Sequence, residues 1–131
     1  MSTSQWLTSA VFGLLLTAVP SWASEPLDAD TIEALVYGNT TACRKEKDQS
    51  LCTNFFSTEG EFKRRMHEDD ARKDGRWFLD DSDRLCILWD GRIKPMCFVV
   101  TENPDGTFAL TKHGKHISTI LGISEGNTEG L

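Results

Sequence analysis

The first 23 residues contain no Asp, Glu, Lys or Arg. After them the chain has no apolar run approaching the roughly 20 residues that a membrane-spanning helix needs. Basic residues are in deficit: 14 Lys and Arg stand against 20 Asp and Glu, and the net charge of −6 lies wholly after residue 23. An acidic surface is repelled by phosphate backbones and anionic headgroups, which argues against nucleic-acid binding and against attachment to an anionic membrane. The common catalytic signatures are missing as well. There is no Gly-x-Ser-x-Gly, no phosphate-cradling Gly-rich loop and no His-Glu-x-x-His. Glu59 and Glu61 are a carboxylate pair only in the sense that any polar strand supplies one. The expectation is a protein that is not an enzyme and uses no cofactor.

What is present begins with Trp6 to Val19, a nearly unbroken apolar stretch leading through Pro20 to Ser21-Trp22-Ala23. An apolar core of this length followed by small residues predicts a secretory signal peptide over 1–23, cleaved after Ala23; a short membrane anchor is the alternative. No cysteine follows the apolar run to accept a lipid, so a soluble periplasmic or secreted protein is expected. Cleavage of the 131-residue chain at this point leaves 108 residues, the size of one domain.

Export decides what the four cysteines do, because thiols pair in oxidising compartments. Cys43 with Cys52 and Cys86 with Cys97 are the favoured disulfides, each bracketing a polar turn-like segment, and a crossed pairing stays open. The spacing in CILWDGRIKPMCF, residues 86–98, is not that of a Cys-x-x-Cys redox pair or zinc knuckle. A hairpin closed at Gly91-Arg92 sets Cys86 opposite Cys97. One closed at Asp90-Gly91 needs a bulge to bring the same two Cβ atoms within the roughly 4 Å a disulfide requires.

The mature chain opens with a helix signal: Asp30 as N-cap, Glu33 completing a capping box, an apolar stripe of Ile32, Leu35 and Val36, and Gly38 as the stop. Everything downstream reads as short strands and turns: Leu51 to Ser57, a polar solvent-facing Glu61 to Met66, Arg76 to Leu79, Leu85 to Trp89, Ile93 to Thr101, Thr107 to Thr111 and His116 to Leu121. The fold class is therefore mainly β, an antiparallel meander closing into a small barrel or a curved sheet, with one short N-terminal helix and two disulfides. A single β-rich domain over 24–121 is expected, followed by a disordered tail over 122–131.

The order Gly38-Asn39-Thr40, Phe55-Phe56, Glu59-Gly60, Gly75-Arg76-Trp77, Leu85-Cys86-Ile87-Leu88-Trp89 and a second cysteine beside Phe98 resembles a family of small exported bacterial proteins of unknown function with a lipocalin-like, half-barrel β-fold. The likeness covers most of Leu27 to Leu121 and implies an exported β-protein, with no catalytic or binding residues to carry over. A lipocalin places its Gly-x-Trp on the first strand; here Gly75 to Trp77 lies mid-chain.

Three functional readings follow. In the first, the charged segment Lys63 to Arg76, a long polar connection, presents Arg64, Arg65, Arg72 and Arg76 to an envelope protein partner, and the domain has no internal cavity. In the second, Trp77, Trp89, Phe55, Phe56 and Phe98 line a cavity for a small apolar ligand, against the plain alternative that they form the core. In the third, His67, His113 and His116, with Glu68, Asp69 and Asp70, hold a metal. Asp80, Asp81 and Asp83 lack the Gly and distal Glu of a calcium loop and read as a solvated turn. The Asn39-Thr40-Thr41 sequon matters only in a host that glycosylates.

Overall fold

A computed structural model describes residues 25–131. The signal peptide expected at 1–23 lies outside the described residues. Helix α1 (Ala29–Val36) precedes eight strands: β1 (Asn39–Lys45), β2 (Leu51–Phe56), β3 (Glu61–Met66), β4 (Arg72–Leu79), β5 (Leu85–Trp89), β6 (Met96–Glu102), β7 (Phe108–Lys112) and β8 (Lys115–Glu125). Each strand pairs antiparallel with the next and β8 returns to β1, which makes a closed up-and-down barrel. Closure leaves no open sheet edge whose amides would need another partner. No helix among the described residues is long and apolar enough to cross a membrane.

The helix starts earlier than its local pattern suggests. Asp28, not Asp30, is the N-cap, and its side chain accepts from the Thr31 amide at 2.8 Å. Asp83, in the β4–β5 turn, accepts from the Ala29 amide at 2.9 Å. This second cap arrives from 54 residues away, where local capping rules cannot see it. Gly38 does end the helix, with φ of +69°, and its amide donates to Phe56 O at 2.8 Å. These bonds, with one from the Leu27 amide to Val100 O, lay α1 across one end of the barrel. There Ile32 and Val36 join Phe56, Trp77, Leu85 and Val100 in the buried apolar core and fill that end.

Both favoured disulfides form, and each joins directly opposed residues of neighbouring strands. The β5–β6 connection combines the two hairpins considered. Cys86 faces Cys97, yet the turn is centred on Asp90-Gly91, with the Arg92 amide donating to Trp89 O and Gly91 at φ +81°. The mismatch is absorbed by Ile93 to Pro95, which stay outside the strands, so β6 starts at Met96 rather than Ile93.

Three expectations are corrected. Strand β1 has no counterpart in the sequence reading: Asn39–Lys45 is mostly polar, and it is a strand because β2 and β8 flank it. Lys63 to Arg76 is not a long connection. It is the β3–β4 hairpin, paired from Glu61↔Arg76 to Arg65↔Arg72 around a turn at 67–71, and β4 begins four residues before the expected Arg76. The segment 122–131 is not a free tail. β8 continues to Glu125, and beyond it Thr40 Oγ1 donates to Gly126 O at 2.7 Å while Arg65 pairs with Glu129 at 2.9 Å.

Candidate functional site

Strand geometry determines which side chains enter the barrel, because alternate residues point to opposite faces. With Phe62 opposite Phe56, Arg64 opposite Asn54 and Lys73, and Gly75 opposite Trp89, one inward parity runs through β2, β3, β4 and β5. An eight-stranded barrel is just wide enough either to fill with side chains or to hold one small ligand. At the α1 end it is filled. Toward the other end, where the β1–β2 and β7–β8 turns lie, a cavity of about 600 Å³ remains.

The deep part of this cavity is apolar. Phe56, Phe62, Leu85, Trp89, Phe98 and Ile120 are among its walls. Phe62 sits 4.9 Å from Phe56 and 5.2 Å from Trp89, centre to centre, in tilted and edge-on contacts that suit the ring quadrupoles. Gly75 makes room for this arrangement. A Cβ there would lie 2.6 Å from Leu88 O and 3.1 Å from the Trp89 Cα, so β4 and β5 approach closely only because position 75 has no side chain.

Arg64 interrupts the apolar wall. Its Nε donates to Asn54 Oδ1 at 2.9 Å, and the Asn54 amide is oriented in turn by a contact of its Nδ2 with Cys43 Sγ at 3.3 Å. The guanidinium lies 5.1 Å from the Trp89 ring centre and 5.8 Å from that of Phe62. Among the described residues it has no ion-pair partner. Loss of hydration inside the barrel pushes its pKa down to about 10. Lys73, its neighbour across β3–β4, puts Nζ 4.3 Å from the Trp89 ring centre. Its pKa is also lowered, first by desolvation and then by Arg92, Arg64 and Lys45 nearby.

Lys45, Lys47 and Lys115 extend the positive charge to the open end. The one carboxylate lining the cavity, Glu46, is already engaged. Thr119 Oγ1 donates to it at 2.6 Å, which does most to hold its carboxyl below the ordinary range, and Gln49 and Arg44 add to this. His116 lies beside it, 3.8 Å from Glu46 Oε1 and 2.8 Å from Thr119 Oγ1.

The structure divides the residues singled out from sequence. Of the four arginines, only Arg64 points inward. Arg65 pairs outside the barrel with Asp70 and Glu129, Arg72 is exposed, and Arg76 donates to Glu59 O. Of the two tryptophans, Trp89 lines the cavity, whereas Trp77 belongs to the α1 end, where it packs on Tyr37 and Phe56 and donates from Nε1 to Ser57 O. Phe56 and Phe98 line the cavity. The histidines are dispersed: His67 is in the β3–β4 turn on Thr53, and His113 is in the β7–β8 turn. Among the described residues the one cluster with metal-ligand proximity is Asp80, Cys86 and Cys97, whose sulfurs are joined to each other and so offer no thiolate. Asn54, Phe62, Lys73 and the rim lysines were not anticipated. The alternation in Glu61–Met66 carried the signal, since Phe62 and Arg64 share a parity, but a strand read as solvent-facing hid it.

Comparison with protein-family models, with curated proteins and with solved structures gives no match to this chain.

Proposed function

We propose that this protein is an exported, non-enzymatic carrier that holds a small apolar ligand inside its barrel. The observation that carries the reading is the cavity of about 600 Å³. That volume is within the roughly 300–1,000 Å³ of small-molecule sites, and its deep wall is aromatic and aliphatic. A domain of this size ordinarily fills its interior, because empty apolar space costs stability. The leader-like segment 1–23 and the two disulfides support a periplasmic or extracellular location, where cystines persist. The alternative, action through protein contacts at the cell envelope, needs an exposed basic face along 63–76. It has less support, because Arg64 is turned inward and Arg65 is paired on both sides.

Native mass spectrometry of protein purified from its host without denaturation, followed by titration with the uncharged fluorophore N-phenyl-1-naphthylamine, tests the reading. A bound organic mass, or stoichiometric probe uptake with quenching of Trp89 emission, is the expected result. A bare polypeptide that also refuses the probe would overturn it.

A further inference from the structure

We propose that the ligand is a monocarboxylate with an apolar tail, its carboxylate gripped by Arg64 beside Asn54 and Lys73 and its tail directed toward the α1 end. This rests on the carrier reading and goes beyond it by assigning the chemistry of the head group.

The argument starts from unbalanced charge. The chain as a whole is acidic, at −6, yet its cavity is lined by Lys45, Lys47, Arg64, Lys73 and Lys115 against one carboxylate, Glu46. Glu46 is held by Thr119, Gln49 and Arg44, so it does not neutralise Arg64, while Lys47, Lys73 and Lys115 are exposed. A desolvated cation without a counter-charge is costly, and folded chains ordinarily pair it or keep it in water. Arg64 is neither. Of the five N–H groups of its guanidinium, Nε is spent on Asn54, and the other four have no protein acceptor among the described residues. That free edge is the planar fork that binds a carboxylate through two parallel hydrogen bonds.

Position gives the ligand its polarity. Arg64 and Lys73 face each other across β3 and β4 between the apolar floor of Phe56, Phe62 and Leu85 and the lysine rim. A head group at Arg64 thus leaves the tail only the floor to occupy. The rim adds a steering field: lysines around a low-dielectric opening attract an anion from solution and speed its entry.

The test displaces N-phenyl-1-naphthylamine from the full mature protein with dodecanoate, dodecan-1-ol and dodecyl phosphate, three ligands that share a tail. Dodecanoate is expected to compete at least about tenfold more strongly than the alcohol, the increment a charge-assisted hydrogen-bond pair supplies. In Arg64→Met, with competition referred to the variant's own probe affinity, the acid is expected to lose that advantage and to compete no better than the alcohol. Equal competition by acid and alcohol in the wild type overturns the head-group assignment and leaves the carrier reading standing. Stronger binding of the phosphate than of the carboxylate overturns the carboxylate class. Failure of all four molecules to bind sinks the carrier reading, and this inference with it. A readout that needs no variant is the carboxyl ¹³C shift of labelled dodecanoate bound to the wild type. Beside Arg64 and Lys73 the bound acid titrates at least about one pH unit below the free acid; an unshifted or raised midpoint contradicts the assignment.

Discussion

The guanidinium carbon of Arg64 lies 5.1 Å from the centre of the Trp89 ring, and the same arginine is fastened through Nε to Asn54. The cation is thereby held against an aromatic wall of the cavity and is only partly exposed. Its attraction to the ring and its one hydrogen bond return only part of the hydration it gives up, since a cation–π contact contributes about 1 to 2 kcal/mol and the loss for a buried ion is several. Arg64 is therefore a residue that the fold tolerates rather than one that holds it together.

Replacing it tests that statement. Arg64→Met, of similar length and apolar, is expected to unfold in urea at a midpoint equal to or above wild type, by up to about 1 kcal/mol. A loss of more than about 2 kcal/mol would mean that Arg64 is structural and would weaken the case for a ligand-binding role.

The two tryptophans separate by function. Trp77 is buried under α1 with its Nε1 bonded to Ser57 O, so Trp77→Leu leaves a void and takes one of the two hydrogen bonds from that carbonyl, which keeps the Gly60 amide, and is expected to cost about 3 kcal/mol in chemical unfolding. Trp89 borders empty space. Trp89→Leu enlarges the cavity, and its expected signature is weakened probe uptake with a smaller stability loss, about 1 to 2 kcal/mol. The reverse ranking in a paired urea and fluorescence experiment would contradict the placement of the two rings.

Gly75 is the point where one added methyl does most harm. In Gly75→Ala the new Cβ meets the Leu88 carbonyl oxygen at 2.6 Å, and a backbone atom cannot swing aside as a side chain can. The β4–β5 pair must separate or shift, at an expected cost of about 2 to 3 kcal/mol, visible as a lowered urea midpoint. A near-neutral result would show that the two strands are farther apart than described.

Acid is expected to destabilise the fold through its hydrogen-bonded carboxylates. Asp28, Asp80, Asp105 and Glu46 are held below their ordinary values of 3.8 and 4.5, chiefly by Thr31, Arg84, Thr107 and Thr119 respectively. A depressed folded-state pKa means that on acidification the unfolded chain takes up protons first. The stabilisation is thus complete at neutral pH, begins to fade near pH 4.5, and is lost as pH drops through the folded-state values. Urea midpoints should be level from pH 7 to 5 and fall steadily below. A midpoint that rises on acidification would contradict the sign.

Much of this architecture is legible along the chain. Leu85–Trp89 and Glu61–Met66 have the bounds their composition indicates, Gly38 ends the helix, and the pairings of Cys43 with Cys52 and of Cys86 with Cys97 follow from the short polar turn-like segment that each pair brackets. These features depend on local alternation, turn chemistry and redox compartment, all of which act over a few residues. The remainder depends on neighbours distant in sequence. Asn39–Lys45 is polar enough to pass for a loop, and it is a strand because β8 supplies its second set of hydrogen bonds from the far end of the chain. Asp83 caps a helix 54 residues before it. Arg64 and Arg65 are adjacent and chemically identical, yet the pleat sends one into the barrel and the other into a surface pair with Asp70 and Glu129. Which of the two faces inward is settled by register and closure, because in a sheet a shift of one residue exchanges every inside position for an outside one.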